Sequence, residues 1–123
     1  MQPTRVFLVD DNKGLTLTFK HMLEARGYAV EVENKSAAAI NSIKSFQPDI
    51  IFLDVVMPLQ DGGDVYNRLK ATPQLAAIPV VFFTSMVTTR ESRNSEPNKL
   101  GHRYLPKPSS VEEIERVISD VLK

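Results

Sequence analysis

The stretch at residues 50–63 constrains the fold of this chain more than any other. It begins with four apolar residues, ends that run with a single carboxylate, Asp54, and then reaches Pro58 and Gly62, which favour a loop. A short and continuously apolar run of this kind predicts a strand that is buried on both faces. Burying an ionised group without a partner costs several kcal/mol. We therefore expect other side chains or a metal ion to stabilise Asp54.

Similar apolar runs recur along the chain, and helical patterns lie between them. We predict strands at residues 5–9, 28–32, 50–54, 79–84 and 103–105. We predict helices at residues 12–26, 36–46, 62–71 and 110–122. Gly27 stands where a C-terminal helix cap belongs, and Ser110 with Glu113 has the pattern of a capping box. The alternation predicts an α/β fold with helices on both faces of a parallel sheet, because each parallel crossover needs a long connection.

The segment at residues 87–100 is the exception to this alternation. Its residues are mostly polar, show almost no apolar periodicity and include Pro97. Proline inside a helix removes a hydrogen bond and clashes with the preceding turn. We therefore interpret the segment as a solvated loop or a frayed helix in preference to a regular helix.

Composition limits the classes of function. With 123 residues the chain fits one domain that can bury a sizeable core. Its 15 basic and 15 acidic residues cancel, so the net charge favours neither nucleic acid nor an anionic membrane as a partner. The absence of cysteine excludes disulfides, thiol catalysis and thiolate metal sites. No stretch has the pattern of a signal peptide or a membrane span, so we expect a soluble, cytoplasmic protein without membrane insertion.

Polar side chains follow four of the five predicted strands. Asp10 and Asp11 follow the first strand, and Asp54 ends the third. Thr84 ends the fourth strand, and Lys107 stands two residues beyond the fifth. The carboxyl ends of parallel strands meet at one edge of the sheet, where ligands bind in such folds. Each residue alone would be interpreted as a turn, cap or surface residue, but together they predict a site and supply partners for Asp54.

The chemistry of these side chains favours a metal ion and phosphoryl transfer. Three carboxylates at one edge repel each other, and a divalent cation relieves that repulsion. All candidate ligands are oxygens, which favours Mg²⁺ or Mn²⁺ over Zn²⁺. Asp54 can then act as a nucleophile that forms an aspartyl phosphate, while Lys107 neutralises phosphoryl oxygens and Thr84 donates a hydrogen bond. His21 and His102 are interpreted as surface residues.

Four motifs of the chain resemble those of the receiver domain of two-component response regulators. They are Val-Asp-Asp at 9–11, Leu-Asp-Val-Val-Met-Pro-Leu-Gln-Asp-Gly at 53–62, Phe-Thr-Ser at 83–85 and Tyr-Leu-Pro-Lys-Pro at 104–108. The resemblance extends over nearly the whole length, so residues 1–123 are expected to be one receiver domain, stand-alone or part of a longer protein. It implies a flavodoxin-like, doubly wound sheet of five parallel strands in the order 2-1-3-4-5.

The resemblance also implies a role for each residue around the phosphoacceptor, which would be Asp54. Asp11, Asp54 and the backbone carbonyl of Val56 would bind Mg²⁺ directly. Asp10 would assist through water, and Lys107 would pair with the phosphoryl group.

A switch is implied in the same way. Thr84 would move towards the phosphoryl oxygen, and Tyr104, by default a half-buried strand aromatic, would turn inward behind it. The peptide bond between Lys107 and Pro108 would be cis, which proline makes accessible.

Three functions follow as hypotheses. In the first, the domain takes a phosphoryl group from a histidine kinase or a histidine phosphotransfer protein and changes its affinity for a downstream protein, as a monomer and without acting as an enzyme on other substrates. The second is an aspartyl-nucleophile phosphatase, which is disfavoured because Val56 stands where haloacid-dehalogenase-like enzymes carry an acid/base aspartate. The third is an interaction module that keeps the receiver fold but does not depend on phosphate.

Overall fold

The structure is a computed structural model, and it describes residues 2–54, 62–84, 103–107 and 110–122. The strands in these ranges are β1 (Arg5–Val9), β2 (Ala29–Glu33), β3 (Ile50–Leu53), β4 (Val80–Thr84) and β5 (Arg103–Pro106). The helices are α1 (Lys13–Glu24), α2 (Ser36–Phe46), α3 (Gly62–Ala71) and α4 (Val111–Val121). Each element corresponds to a predicted one, and no end differs from its prediction by more than two residues.

The five strands form one parallel sheet in the order β2-β1-β3-β4-β5. This order confirms the expected doubly wound, flavodoxin-like architecture. One row of paired residues crosses four strands and consists of Val9, Leu53, Phe82 and Tyr104. The residues that come directly after this row in each strand also lie side by side, so they reach the carboxyl edge of the sheet together.

The core has two halves, because successive residues of a strand point to opposite faces of the sheet. On the face that we call the α1/α4 face, the largest buried side chains include Leu8, Phe19, Phe52, Phe83 and Ile114. On the α2/α3 face they include Phe7, Ile43, Leu53, Val65 and Phe82. Burial on both faces explains why residues 6–9 of β1 and all of β3 are apolar, with no alternation of polar residues.

Helix α1 has a cap at each end. The side chain of Asn12 accepts a hydrogen bond from the first turn at 3.0 Å. At the other end Gly27 N donates to Glu24 O and Tyr28 N donates to Leu23 O, both at 3.1 Å. This pair of bonds is a Schellman motif, which needs a left-handed residue, and Gly27 supplies it with φ of 93°. The predicted capping role of Gly27 is confirmed.

Helix α4 begins with the predicted capping box. The Ser110 hydroxyl accepts from Glu113 N at 3.2 Å, and the Glu113 carboxylate accepts from Ser110 N at 3.1 Å. The box therefore satisfies two backbone groups that a helix start leaves open. None of the helices in the described parts of the chain has the length and apolar character needed to cross a bilayer.

Several predictions fall on residues outside the described ranges. They concern the segment at 87–100, the backbone carbonyl of Val56, the environment of His102 and the peptide bond before Pro108. These predictions stay predictions.

Candidate functional site

Two carboxylates emerge side by side at the carboxyl edge of the sheet. Asp10 follows β1 and Asp54 follows β3. Val9 lies opposite Leu53 in the register of these strands, so the two aspartates occupy the next row. The backbone ladder extends to that row, because Asp54 N donates to Val9 O at 3.0 Å and Asp10 N donates to Glu33 O at 3.1 Å. The sheet itself therefore fixes where both carboxylates leave the backbone.

Lys107 approaches these carboxylates from the edge strand β5, which it follows. Its ammonium lies 5.9 Å from the ring centre of Phe83 in the intervening strand β4. Lys107, Asp10 and Asp54 each stand two positions after a core residue of the α1/α4 face. The alternation of strand residues thus directs all three side chains to one face.

The Lys107 ammonium forms an ion pair with each of the two carboxylates. Its Nζ atom lies 2.9 Å from Asp54 Oδ2 and also contacts Asp10 Oδ2. The side chain of Asp10 is fully buried, that of Asp54 is 5% exposed and that of Lys107 is 14% exposed. The structure thus brings together three of the residues that the sequence places at strand ends.

The pKa values of Asp10 and Lys107 are both raised in this site. Burial raises the pKa of Asp10 above its ordinary value, although Lys107 and the Asn12 N–H both act to lower it. Burial acts to lower the pKa of Lys107, but the hydrogen bonds and charges of Asp10 and Asp54 outweigh it and raise that pKa. Both groups therefore hold their protons more tightly than they would in water. Positive charge, whether from a proton or from a cation, is thus favoured at this edge of the sheet.

Asp11 adds a third carboxylate. One ligand oxygen each from Asp10, Asp11 and Asp54 lies within 4.8 Å of the others, with Asp11 exposed and the other two buried. The three carboxylates would supply part of the six-oxygen shell of one Mg²⁺ ion, and waters would supply much of the rest. An all-oxygen donor set with an exposed member fits a hard cation such as Mg²⁺ or Mn²⁺. We call Asp10, Asp11, Asp54 and Lys107 the acidic edge.

Two asparagines that the strand-end argument does not identify hold the loop of Asp10 and Asp11. Asn12 N donates to Asp10 Oδ1 at 2.9 Å, and the side chain of Asn34 donates to the Asp10 carbonyl at 2.9 Å. An aspartate side chain that accepts a hydrogen bond from the backbone N–H two residues later forms an Asx-turn, and aspartate is a typical residue at such a position. The bond from Asn34 joins residues 24 positions apart, and nothing local in the sequence signals it.

Tyr104 lies on the opposite face of the sheet from the acidic edge, in the α2/α3 half of the core. Its ring centre is 5.3 Å from that of Phe82, which in turn is 5.3 Å from that of Tyr66 on α3. Tyr104 is half-buried, as the sequence predicts. Thr84 is the last residue of β4. The switch roles of Thr84 and Tyr104 stay predictions, as does the ligand role of Val56.

Comparisons with known proteins point to one family. The family model described as response regulator receiver domain matches residues 6–119. The response regulator MprA of Mycolicibacterium vanbaalenii is 32% identical over 112 residues, which are 91% of this chain and 47% of that protein. MprA of Mycobacterium avium is 32% identical over 110 residues, with coverage of 89% and 47%. The chain thus spans about half the length of the curated relatives it matches.

Solved structures agree on the architecture. The chemotaxis protein CheY4 of Vibrio cholerae superposes with a TM-score of 0.82 at 23% identity, covering 98% of this chain and 99% of that one. A response regulator from Desulfuromonas acetoxidans gives a TM-score of 0.81 at 25% identity, covering 97% and 96%. The first likeness establishes the fold, in agreement with the strand order described above.

Proposed function

Because this chain belongs to the response regulator receiver domain family, we propose that its Asp54 accepts a phosphoryl group from a phosphohistidine donor in a two-component phosphorelay. The observation that carries this proposal is the placement of Asp54. Its carboxylate is 5% exposed, lies 2.9 Å from the Lys107 ammonium and stands among the carboxylates of the acidic edge. Phosphoryl transfer to a carboxylate needs a nucleophile, a positive charge and cation ligands in one place.

In the proposed transfer, a carboxylate oxygen of Asp54 bonds to the phosphorus atom of the donor. The bond from phosphorus to the donor's imidazole nitrogen breaks, and its electron pair together with a proton from solvent restores the neutral imidazole. Lys107 neutralises charge on the phosphoryl oxygens, since its ammonium is already within hydrogen-bond distance of Asp54. Asp11, Asp54 and the backbone carbonyl of Val56 would bind Mg²⁺ or Mn²⁺ directly, and Asp10 would assist through water; the ion, when bound, would supply further neutralisation.

The proposed output is a change of affinity for a downstream protein. Thr84 would respond to the phosphoryl group, and Tyr104 would respond to Thr84. The contacts of β4 support this order, because Thr84 ends the strand in which Phe82 packs against Tyr104. The signal would thereby pass from the acidic edge to the other face of the sheet.

The proposed partners are a histidine kinase or a histidine phosphotransfer protein upstream and a protein target downstream. The domain would act in the cytoplasm, as a monomer, without direct contact to nucleic acid. It would catalyse its own phosphoryl transfer and dephosphorylation and no other reaction. Family membership supports this role as a signalling domain.

Incubation with Mg²⁺ and a small acyl phosphate, followed by intact-mass measurement, tests the proposal. The wild-type protein should gain one phosphoryl group, Asp54→Asn should gain none, and Asp64→Asn, which removes an exposed aspartate of α3, should behave as the wild type. A gain that survives in Asp54→Asn would contradict the assignment of the nucleophile. No gain on a wild-type protein that binds Mg²⁺ would favour a phosphate-independent interaction module.

A further inference from the structure

Asn34 connects the acidic edge to helix α1. It follows β2 and is half-buried. Its side-chain nitrogen makes two hydrogen bonds of 2.9 Å, one to the backbone carbonyl of Asp10 and one to Oγ1 of Thr16. Thr16 is only 1% exposed, so the second bond lies in the interior. One side chain thus joins the β2–α2 connection, the β1–α1 connection and α1 itself.

Chemistry fixes the direction of both bonds. A carbonyl oxygen only accepts, so the Asn34 atom that faces Asp10 is the amide nitrogen. The Thr16 hydroxyl donates its one hydrogen to the carbonyl of Lys13 at 3.0 Å, and it therefore accepts from Asn34. The amide group uses both of its hydrogens, and neither an aspartate nor an alanine at this position can replace it.

The carbonyl that Asn34 binds belongs to the peptide group between Asp10 and Asp11. That group is planar, so a hydrogen bond to its oxygen orients the plane and with it the direction in which the chain enters Asp11. Asp11 is the exposed carboxylate of the acidic edge, whereas Asp10 and Asp54 are buried. The position of the Asp11 carboxylate therefore depends on the backbone more than on packing.

We propose that Asn34 is a positioning residue for the cation site of the acidic edge. Through the peptide between Asp10 and Asp11, it keeps the Asp11 carboxylate close to the carboxylates of Asp10 and Asp54. The inference rests on the proposed function for the identity of the cation, and it concerns cation binding and not phosphoryl transfer. A ligand that is already oriented loses less conformational entropy on binding, and residues that orient metal ligands typically change metal affinity about 10–100-fold.

Asn34→Ala tests the inference in the whole chain, with Ser42→Ala as the matched control. Ser42 is also half-buried, and its hydroxyl donates to Glu33 Oε1 at 2.8 Å, so the control loses a neighbouring bond that does not reach the Asp10 carbonyl. Titration with Mg²⁺ alone, followed by backbone amide chemical shifts, gives the dissociation constants. Asn34→Ala should bind Mg²⁺ about tenfold more weakly than the wild type, and Ser42→Ala should bind it as the wild type does.

Two further measurements separate positioning from general stabilisation. Without metal, the amide shift of Asp11 should move in Asn34→Ala and stay in Ser42→Ala, whatever each variant loses in urea unfolding. Should Asn34→Ala fail to fold, Thr16→Val keeps the shape of the buried side chain and removes the acceptor of the second bond. It should weaken Mg²⁺ binding in the same direction and by a smaller factor, because the bond to Asp10 remains.

Equal Mg²⁺ dissociation constants for Asn34→Ala and Ser42→Ala would overturn the inference, as would a wild-type protein that does not bind Mg²⁺. Failure of the proposed function has a different signature. The wild-type protein would then bind Mg²⁺ but gain no phosphoryl group on Asp54, and the difference between the two variants would still stand.

Discussion

Two clusters in the described part of the chain place one basic side chain between two carboxylates, and they differ in exposure. In the acidic edge, Lys107 and the two carboxylates that it contacts have side chains at most 14% exposed. The second cluster, which we call the helix clasp, consists of Arg26 after α1 and of Glu112 and Glu115 in α4. Its ion pairs are 2.7 and 3.3 Å long, and its side chains are 30–68% exposed. The two clusters share their chemistry and differ in access to water.

The pKa shifts of Glu112 and Asp10 have opposite signs, although the basic partner acts to lower the pKa of both carboxyl groups. In the helix clasp, the pKa of Glu112 is lowered by a hydrogen bond from its own backbone N–H and by the charge of Arg26. In the acidic edge, the pKa of Asp10 is raised because burial outweighs the contact with Lys107. Solvent access, and not the presence of a partner, decides the sign. The acidic edge thus holds negative charge at a free-energy cost that a bound cation can relieve.

The largest difference between the clusters should appear when the basic residue becomes methionine. Lys107→Met leaves buried carboxylates without their ammonium partner, and breaking a buried ion pair costs about 3–5 kcal/mol. We expect the free energy of unfolding in metal-free buffer to fall by about 3 kcal/mol, the lower end of that range, because Asp11 keeps one side of the cluster open to water. Urea unfolding in the presence of EDTA measures the change. Arg26→Met is the matched control, and an equal loss there would contradict the comparison.

The loss in Lys107→Met should depend on pH. Burial raises the pKa of Asp10, and removing a group that lowers it raises it further. The folded variant then holds a proton that the unfolded chain, with its ordinary pKa, has released, so folding is favoured as the pH falls through the folded-state pKa. The deficit relative to the wild type should therefore shrink as the pH falls. A deficit that stays constant with pH would show that Asp10 is not its source.

Mg²⁺ should stabilise the protein through the acidic edge and not through the helix clasp. A ligand that binds only the folded state adds about 2.7 kcal/mol at a hundred times its dissociation constant. Thermal unfolding at increasing Mg²⁺ should show a rising midpoint that EDTA reverses. Arg26→Met should gain as much from Mg²⁺ as the wild type does. A wild-type midpoint that does not respond to Mg²⁺ would contradict the proposed cation site.

Asp11→Asn should stabilise the metal-free protein. The substitution keeps the shape of the side chain and removes the exposed negative charge that lies within 4.8 Å of two others. Two like charges at this distance in a watery environment repel by about 1 kcal/mol, and we expect a gain of that size in EDTA. The order should reverse at saturating Mg²⁺, because the variant lacks one ligand. A variant that is less stable in both conditions would mean that Asp11 has a structural role.

The sequence predicts the acidic edge and does not predict the helix clasp, for a physical reason. Asp10 and Asp54 follow adjacent parallel strands, whose register alone brings them together. The clasp joins Arg26 to residues 86 and 89 positions away, and that pairing depends on how α1 and α4 are placed on their common face of the sheet. The role of Asn34 is not predicted either, because its bond to the Asp10 carbonyl also joins residues that are distant in the sequence. The role of Thr84 stays a prediction, and Val56 and the segment at 87–100 lie outside the described parts of the chain.

The smallest effect should come from the helix clasp itself. Exposed ion pairs contribute about 0–1 kcal/mol, since water already solvates both charges, so Arg26→Met should lower the free energy of unfolding by less than about 1 kcal/mol. A double-mutant cycle with Glu115→Gln isolates the pair that lies at 2.7 Å, and Tyr28, whose hydroxyl also donates to Glu115, stays in place throughout.

Salt separates the clusters in the same experiment. In about 1 M NaCl the screening length falls to about 3 Å, so the coupling of Arg26 to Glu115 should disappear. The deficit of Lys107→Met should persist, because ions do not enter the interior where Asp10 lies. Coupling in the clasp that survives high salt would mean that Arg26 acts through the packing of its aliphatic stem on α4, and the contrast between the clusters would then lie in geometry as well as in solvent access.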